Sequence, residues 1–68
     1  MDIRRQVGLN LKRIRKERGW SQEHLAFESG LHRTYISGIE RGARNPTVVI
    51  LSRIAETLNV KTSKLLDD

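Results

Sequence analysis

The chain contains no cysteine, which removes disulfides and thiolate metal ligands together. Its two histidines, His24 and His32, stand eight residues apart and lack the i, i+4 spacing that places two ligands on one helix face. No metal site and no cofactor is therefore expected. Apolar runs are short, and none approaches the roughly 20 residues of a membrane span. Met1 leads into Asp2, Arg4 and Arg5 without an apolar stretch behind them, so no secretory signal is expected and a cytoplasmic location is. Alternating strand patterns, internal repeats and low-complexity segments are missing too. Ser, Thr, Glu and His occur, but no spacing pairs a nucleophile with a base, and so short a helical chain offers little concavity for a substrate. An enzyme is not expected.

What is present is charge. Thirteen Lys and Arg stand against eight Asp and Glu, a net charge of +5 in 68 residues. Residues 1 to 44 hold ten basic and five acidic side chains, whereas residues 45 to 68 hold three of each, so the whole excess lies in the first two thirds. Nine of the basic residues are Arg, whose planar fork suits phosphate and guanine better than the point charge of Lys does. The length predicts one domain over residues 1–68, because neither half could bury enough interior to offset the entropy of folding. A chain this short buries only roughly 60% of its unfolded surface. With disulfides and metals excluded, self-association is the remaining support.

The periodicity is helical throughout. Ile3, Val7, Leu11 and Ile14 recur at helical spacing and predict a first helix from about Ile3 to Arg18, ended by Gly19. Trp20 is expected to pack as a staple before Ser21, an N-cap for a second helix whose buried side carries Leu25, Ala26 and Phe27. Only Leu31 and His32 separate Gly30 from the next helical pattern, Arg33 to Arg41, with Ile36 and Ile39 inward and Gly42 as cap. After the Asn45-Pro46 turn, Thr47 caps a fourth helix with Val48, Leu51, Ile54, Ala55 and Leu58 at helical spacing. A last short turn near Thr62 or Ser63 carries Leu65 and Leu66. The expected fold class is all-α, with five short helices.

Two short helices joined this tightly form a helix-turn-helix, here at about residues 21–42. Such a motif lays its first helix across the DNA backbone and presents the start of its second to base edges in the major groove. Arg33 and Thr34 stand at that start: Arg can contact guanine through two hydrogen bonds, and Thr a thymine methyl or a polar base edge. Tyr35 and Ser37 are better placed for phosphate oxygens. Gln22, in the first turn of its helix, can donate to a phosphate, and Arg41, Arg44 and Asn45 can grip the backbone at the far end. Trp20 and Phe27 are read as packing residues, and His24 and His32 as surface and capping residues.

The stretch SQEHLAFESGLHRTYISGIERG resembles the lambda-repressor-like, or XRE, helix-turn-helix family, and the likeness to its five-helix pattern covers nearly the whole chain. Within it, GLHRTYISGIERGARN from Gly30 to Asn45 is similar to the controller proteins of bacterial restriction-modification systems. That resemblance implies a bacterial or phage regulator, a homodimer that binds operators ahead of its own and the nuclease genes. It also implies base contacts from Arg33 and Thr34, backbone contacts from Tyr35, Ser37, Arg44 and Asn45, and a pairing of Arg15 with Glu40. We read that pair as structural. Gly38 departs from many family members, which carry a longer polar side chain there.

Apolar residues beyond one helix face, Val49 and Ile50 on the fourth helix and Leu65 and Leu66 on the last turn, are the expected dimer surface. The expected function is sequence-specific transcriptional regulation on a palindromic operator in double-stranded DNA. Two alternatives are a DNA-binding antitoxin that also binds a partner toxin protein, and an architectural binder without sequence preference.

Overall fold

The computed structural model describes residues 2–67, and Asp2 caps its first helix with a carboxylate that accepts the Arg4 amide. Five helices follow: α1 (Ile3–Glu17), α2 (Gln22–Ser29), α3 (Arg33–Glu40), α4 (Val48–Thr57) and α5 (Ser63–Leu66). No strand occurs among the described residues. The Ser21 and Thr47 hydroxyls cap α2 and α4 by accepting the amides of His24 and Ile50, as their sequence positions predict.

Gly30 adopts a left-handed φ of 73°, which lets the Leu31 amide reach back to the Ala26 carbonyl and turns the chain sharply into α3. The same backbone region is used at Gly19, Gly42 and Asn59. These local stops keep the helices short. They let Val7, Leu11, Ile14, Leu25, Ala26, Ile36, Ile39, Leu51, Ile54, Ala55, Leu58 and Leu65 meet in one buried cluster.

Gly8 sits in the middle of α1, where glycine is a poor helix former. A Cβ there would collide with the backbone carbonyl of Ile39 and stand 2.6 Å from that of Glu40. Its bareness is what allows α1 to lie directly against the end of α3. Three helix ends are then closed by side chains from elsewhere in the chain. Arg53 donates to the Ser29 carbonyl at the end of α2 (2.7 Å), and Arg18 to the Leu58 carbonyl at the end of α4 (3.2 Å). Buried Asn10 donates to the carbonyls of Leu65 (3.0 Å) and Asp67 (2.6 Å) at the end of α5.

Four expectations from periodicity are corrected. Phe27 is 82% exposed. Leu25, Ala26 and Ser29 define the buried side of α2, and Phe27, one residue past Ala26, is rotated about 100° away from it. Val48, 75% exposed, lies in the first turn of α4 ahead of Leu51, where the core no longer covers it. Ile3, at the first turn of α1, is likewise half exposed. Leu65 is fully buried, because a four-residue helix can turn only one of two adjacent leucines inward, so it belongs to the core and not to a dimer surface. Leu66 remains outside.

Candidate nucleic-acid interface

The geometry of α3 is set from beneath. Ile36 and Ile39 are fully buried, which fixes the rotation of this eight-residue helix on the core. Glu40, at its last turn, receives two hydrogen bonds from Arg15, Nε to Oε2 at 2.7 Å and Nη2 to Oε1 at 3.0 Å. Their side chains are only 8% and 3% exposed. Arg15 spends its remaining nitrogen on the Trp20 carbonyl at 2.6 Å. Gln22 donates its amide to Glu40 Oε1 at 3.0 Å. This network ties α1, the start of α2 and the end of α3 together with every strong charge compensated. The structural reading of Arg15 and Glu40 thus has its geometry. Gln22 enters the same network, which its sequence position did not reveal. A carboxamide has two N–H groups, so one remains for a phosphate.

With one side locked inward, α3 turns Thr34, Ser37 and Arg41 outward at offsets of three and seven residues, while Gly38 on the same side is buried beneath the Arg44 side chain. Arg33 and Thr34 are exposed at its amino terminus, Ser37 is half-buried and Arg41 is exposed at the other end. Tyr35 is half-buried and packs partly on the core, with the Arg44 guanidinium 5.8 Å from its ring centre. Arg44 and Asn45 are exposed on the loop that follows. The structure therefore brings Arg33, Thr34, Tyr35, Ser37, Arg41 and Arg44 onto or beside one helix. Asn45 lies at the edge, where it borders a shallow recess with Ile3, Val7 and Pro46.

The exposed charges around α3 are unpaired among the described residues, whereas two arginines of α1 are each matched by a carboxylate on the same helix or at its cap. Arg4 pairs with Asp2 at 3.5 Å and Arg13 with Glu17 at 3.7 Å. Among the described residues no carboxylate pairs with Arg33, Arg41 or Arg44, so three guanidinium charges around α3 face solvent uncompensated. Trp20 is half-buried, flanked by the Arg18 guanidinium at 4.8 Å and by the His24 ring at 4.5 Å, and so packs at the α1–α2 turn as expected. His32 occupies the N-cap of α3 without a side-chain capping bond. No cluster of three His, Asp or Glu suited to a metal occurs among the described residues, and no described helix is long and apolar enough to cross a membrane.

A helix-turn-helix family model matches residues 11–65. The chain belongs to that family. Among helix-turn-helix proteins it resembles control protein C.BamHI of Bacillus amyloliquefaciens, with 46% identity over 67 residues, 97% of this chain and 83% of that protein. The restriction-modification controller protein C.AhdI of Aeromonas hydrophila superposes with a TM-score of 0.88 at 40% identity, covering 91% of this chain and 94% of the other. The biofilm master regulator SinR, solved in complex with DNA, superposes with a TM-score of 0.85 at 37% identity, covering 90% and 98%. The likeness to controller proteins read from Gly30 to Asn45 extends in these helix-turn-helix relatives over nearly the full chain.

Proposed function

We propose that this chain is a sequence-specific DNA-binding transcriptional regulator that acts as a homodimer on a palindromic operator, in the manner of a restriction-modification controller. The observation that carries the reading is the start of α3. There Arg33, without a carboxylate partner among the described residues, and Thr34 stand exposed on a helix locked from below by Ile36, Ile39 and the Arg15–Glu40 pair. Arg33 reads guanine, Thr34 reads a neighbouring base edge, and Gln22, Tyr35, Ser37, Arg41, Arg44 and Asn45 hold the phosphates on either side. Relatives named as controllers and as transcriptional regulators favour this reading over an antitoxin.

The dimer forms through the outer face of α4. Val49 is 76% exposed beside exposed Val48 and half-buried Ile50, and Leu66 on α5 is 44% exposed. A two-fold axis there would set two copies of α3 about 34 Å apart, one turn of DNA. In this reading operator occupancy follows the protein's own concentration through coupled dimerisation and binding.

Selection of bound duplexes from a random DNA pool tests both parts. A palindromic consensus with half-site centres one helical turn apart supports them. Binding without sequence preference would leave only an architectural binder, and single isolated half-sites would remove the dimer.

A further inference from the structure

The outer stripe of α3 has a gap in its middle. Thr34, Ser37 and Arg41 present side chains along it, but Gly38 between them presents none. Gly38 is not one of the left-handed residues, so its backbone conformation does not call for glycine. Helix propensity argues against glycine at an interior helical position. The space above it explains the choice.

A Cβ on residue 38 would stand 2.6 Å from Cγ of Arg44, 3.4 Å from its Nε and 3.5 Å from its Cδ. The stem of Arg44 lies across the bare helix surface. Nor can it back away by moving the loop, because the Ala43 and Arg44 amides both donate to the Gly38 carbonyl, at 2.9 and 3.2 Å. From this seat the guanidinium reaches over the Tyr35 ring and stays exposed.

We infer that Gly38 is a positioning residue: it seats Arg44 across the recognition helix, so that Arg44 and Tyr35 form a preset clamp for the nucleic acid. The inference rests on the DNA-binding reading above. A free arginine side chain loses much of its rotamer freedom when it is fixed on a ligand, whereas a seated one has lost it already. The seat therefore favours binding without adding any contact.

The test uses Gly38→Ala, Arg44→Ala and the double variant, titrated against the selected operator duplex with thermal unfolding in parallel. Gly38→Ala is expected to bind roughly two- to tenfold more weakly, the worth of one pre-immobilised long side chain. It should melt no lower than the parent, since alanine is the better helix former. In the Arg44→Ala background the same substitution should change affinity little, because the side chain it displaces is gone. Unchanged affinity for Gly38→Ala overturns the seat. So does an equal loss in both backgrounds, which would mean that the added methyl meets the DNA itself.

A measurement on the free parent protein separates this inference from the DNA-binding reading. Arg44 side-chain protons should be shifted by the Tyr35 ring current, and lose that shift in Tyr35→Leu. Their absence sinks the seat even if operator binding is confirmed. Their presence with no duplex bound at all would instead sink the reading of function.

Discussion

The outer faces of α3 and α4 are built on the same core and finished in opposite ways. α3 exposes Thr34 together with Arg33 and Arg41, two charges that no carboxylate of the described residues pairs with, above a buried pair that fixes the helix from below. α4 exposes Val48 and Val49, side chains that gain nothing from water. A polyanion suits the first surface and an apolar partner the second. The difference shows how one small helical core can carry two outer faces of opposite chemistry. Helices this short each need only one buried stripe, so their remaining faces are available for unrelated tasks.

The largest expected effect lies under the polar face. Arg15→Ala would leave the Glu40 carboxylate buried without its cation and should cost about 3 to 5 kcal/mol in urea unfolding. A loss below about 1 kcal/mol would mean that α3 is held by Ile36 and Ile39 alone. The apolar face breaks differently. In the proposed dimer, Val49→Asp would put two like charges near the two-fold axis and should weaken self-association roughly a hundredfold while sparing the fold, as sedimentation would show. An unaltered dimer would move the interface off α4.

Arg33→Ala should cost about 1 to 3 kcal/mol on the selected operator and relax one base position, whereas Arg44→Ala should weaken all sequences alike and reduce the salt slope by about one. Identical behaviour of the two would erase the division between reading and holding. The smallest effect falls on neither face. The Arg4 amide bond to Asp2 holds that carboxyl below its ordinary value, with the Arg4 charge adding to the shift. A depressed value in the folded state means that the cap is complete above the ordinary Asp range and is lost as pH falls through the folded value. Protection of the Arg4 amide, its exchange measured against the unstructured-peptide rate at each pH, should fall over that interval and stay level above it.

Much of this was readable in the sequence because the deciding signals are local. Ser21 and Thr47 cap helices three residues away, and Gly19, Gly30 and Gly42 end them in place, so element order follows from neighbours alone. The exposed start of α3 was legible for the same reason, once Ile36 and Ile39 marked its inward side. Distant partners left no such trace. Asn10 meets Leu65 and Asp67 from 55 and 57 positions away, and Arg18 meets Leu58 from 40. Their roles exist only after the helices have met. The interior glycine Gly8 belongs with them, since what crowds it is the backbone of Ile39 and Glu40, two helices further along the chain. Phe27 failed for a different reason. α2 has too few apolar residues for periodicity to orient it, and Phe27 directly follows the two that are buried.

The brace that joins Arg15, Gln22 and Glu40 has a consequence for the nucleic acid. A recognition helix bolted to two neighbours cannot tilt to follow an ill-fitting groove. In a dimer built as proposed, the two half-sites must come to a rigid frame, and the duplex between them does the bending. Base pairs that no side chain touches would then be selected for their pliancy, so the operator should carry sequence preference at its centre as well as under Arg33.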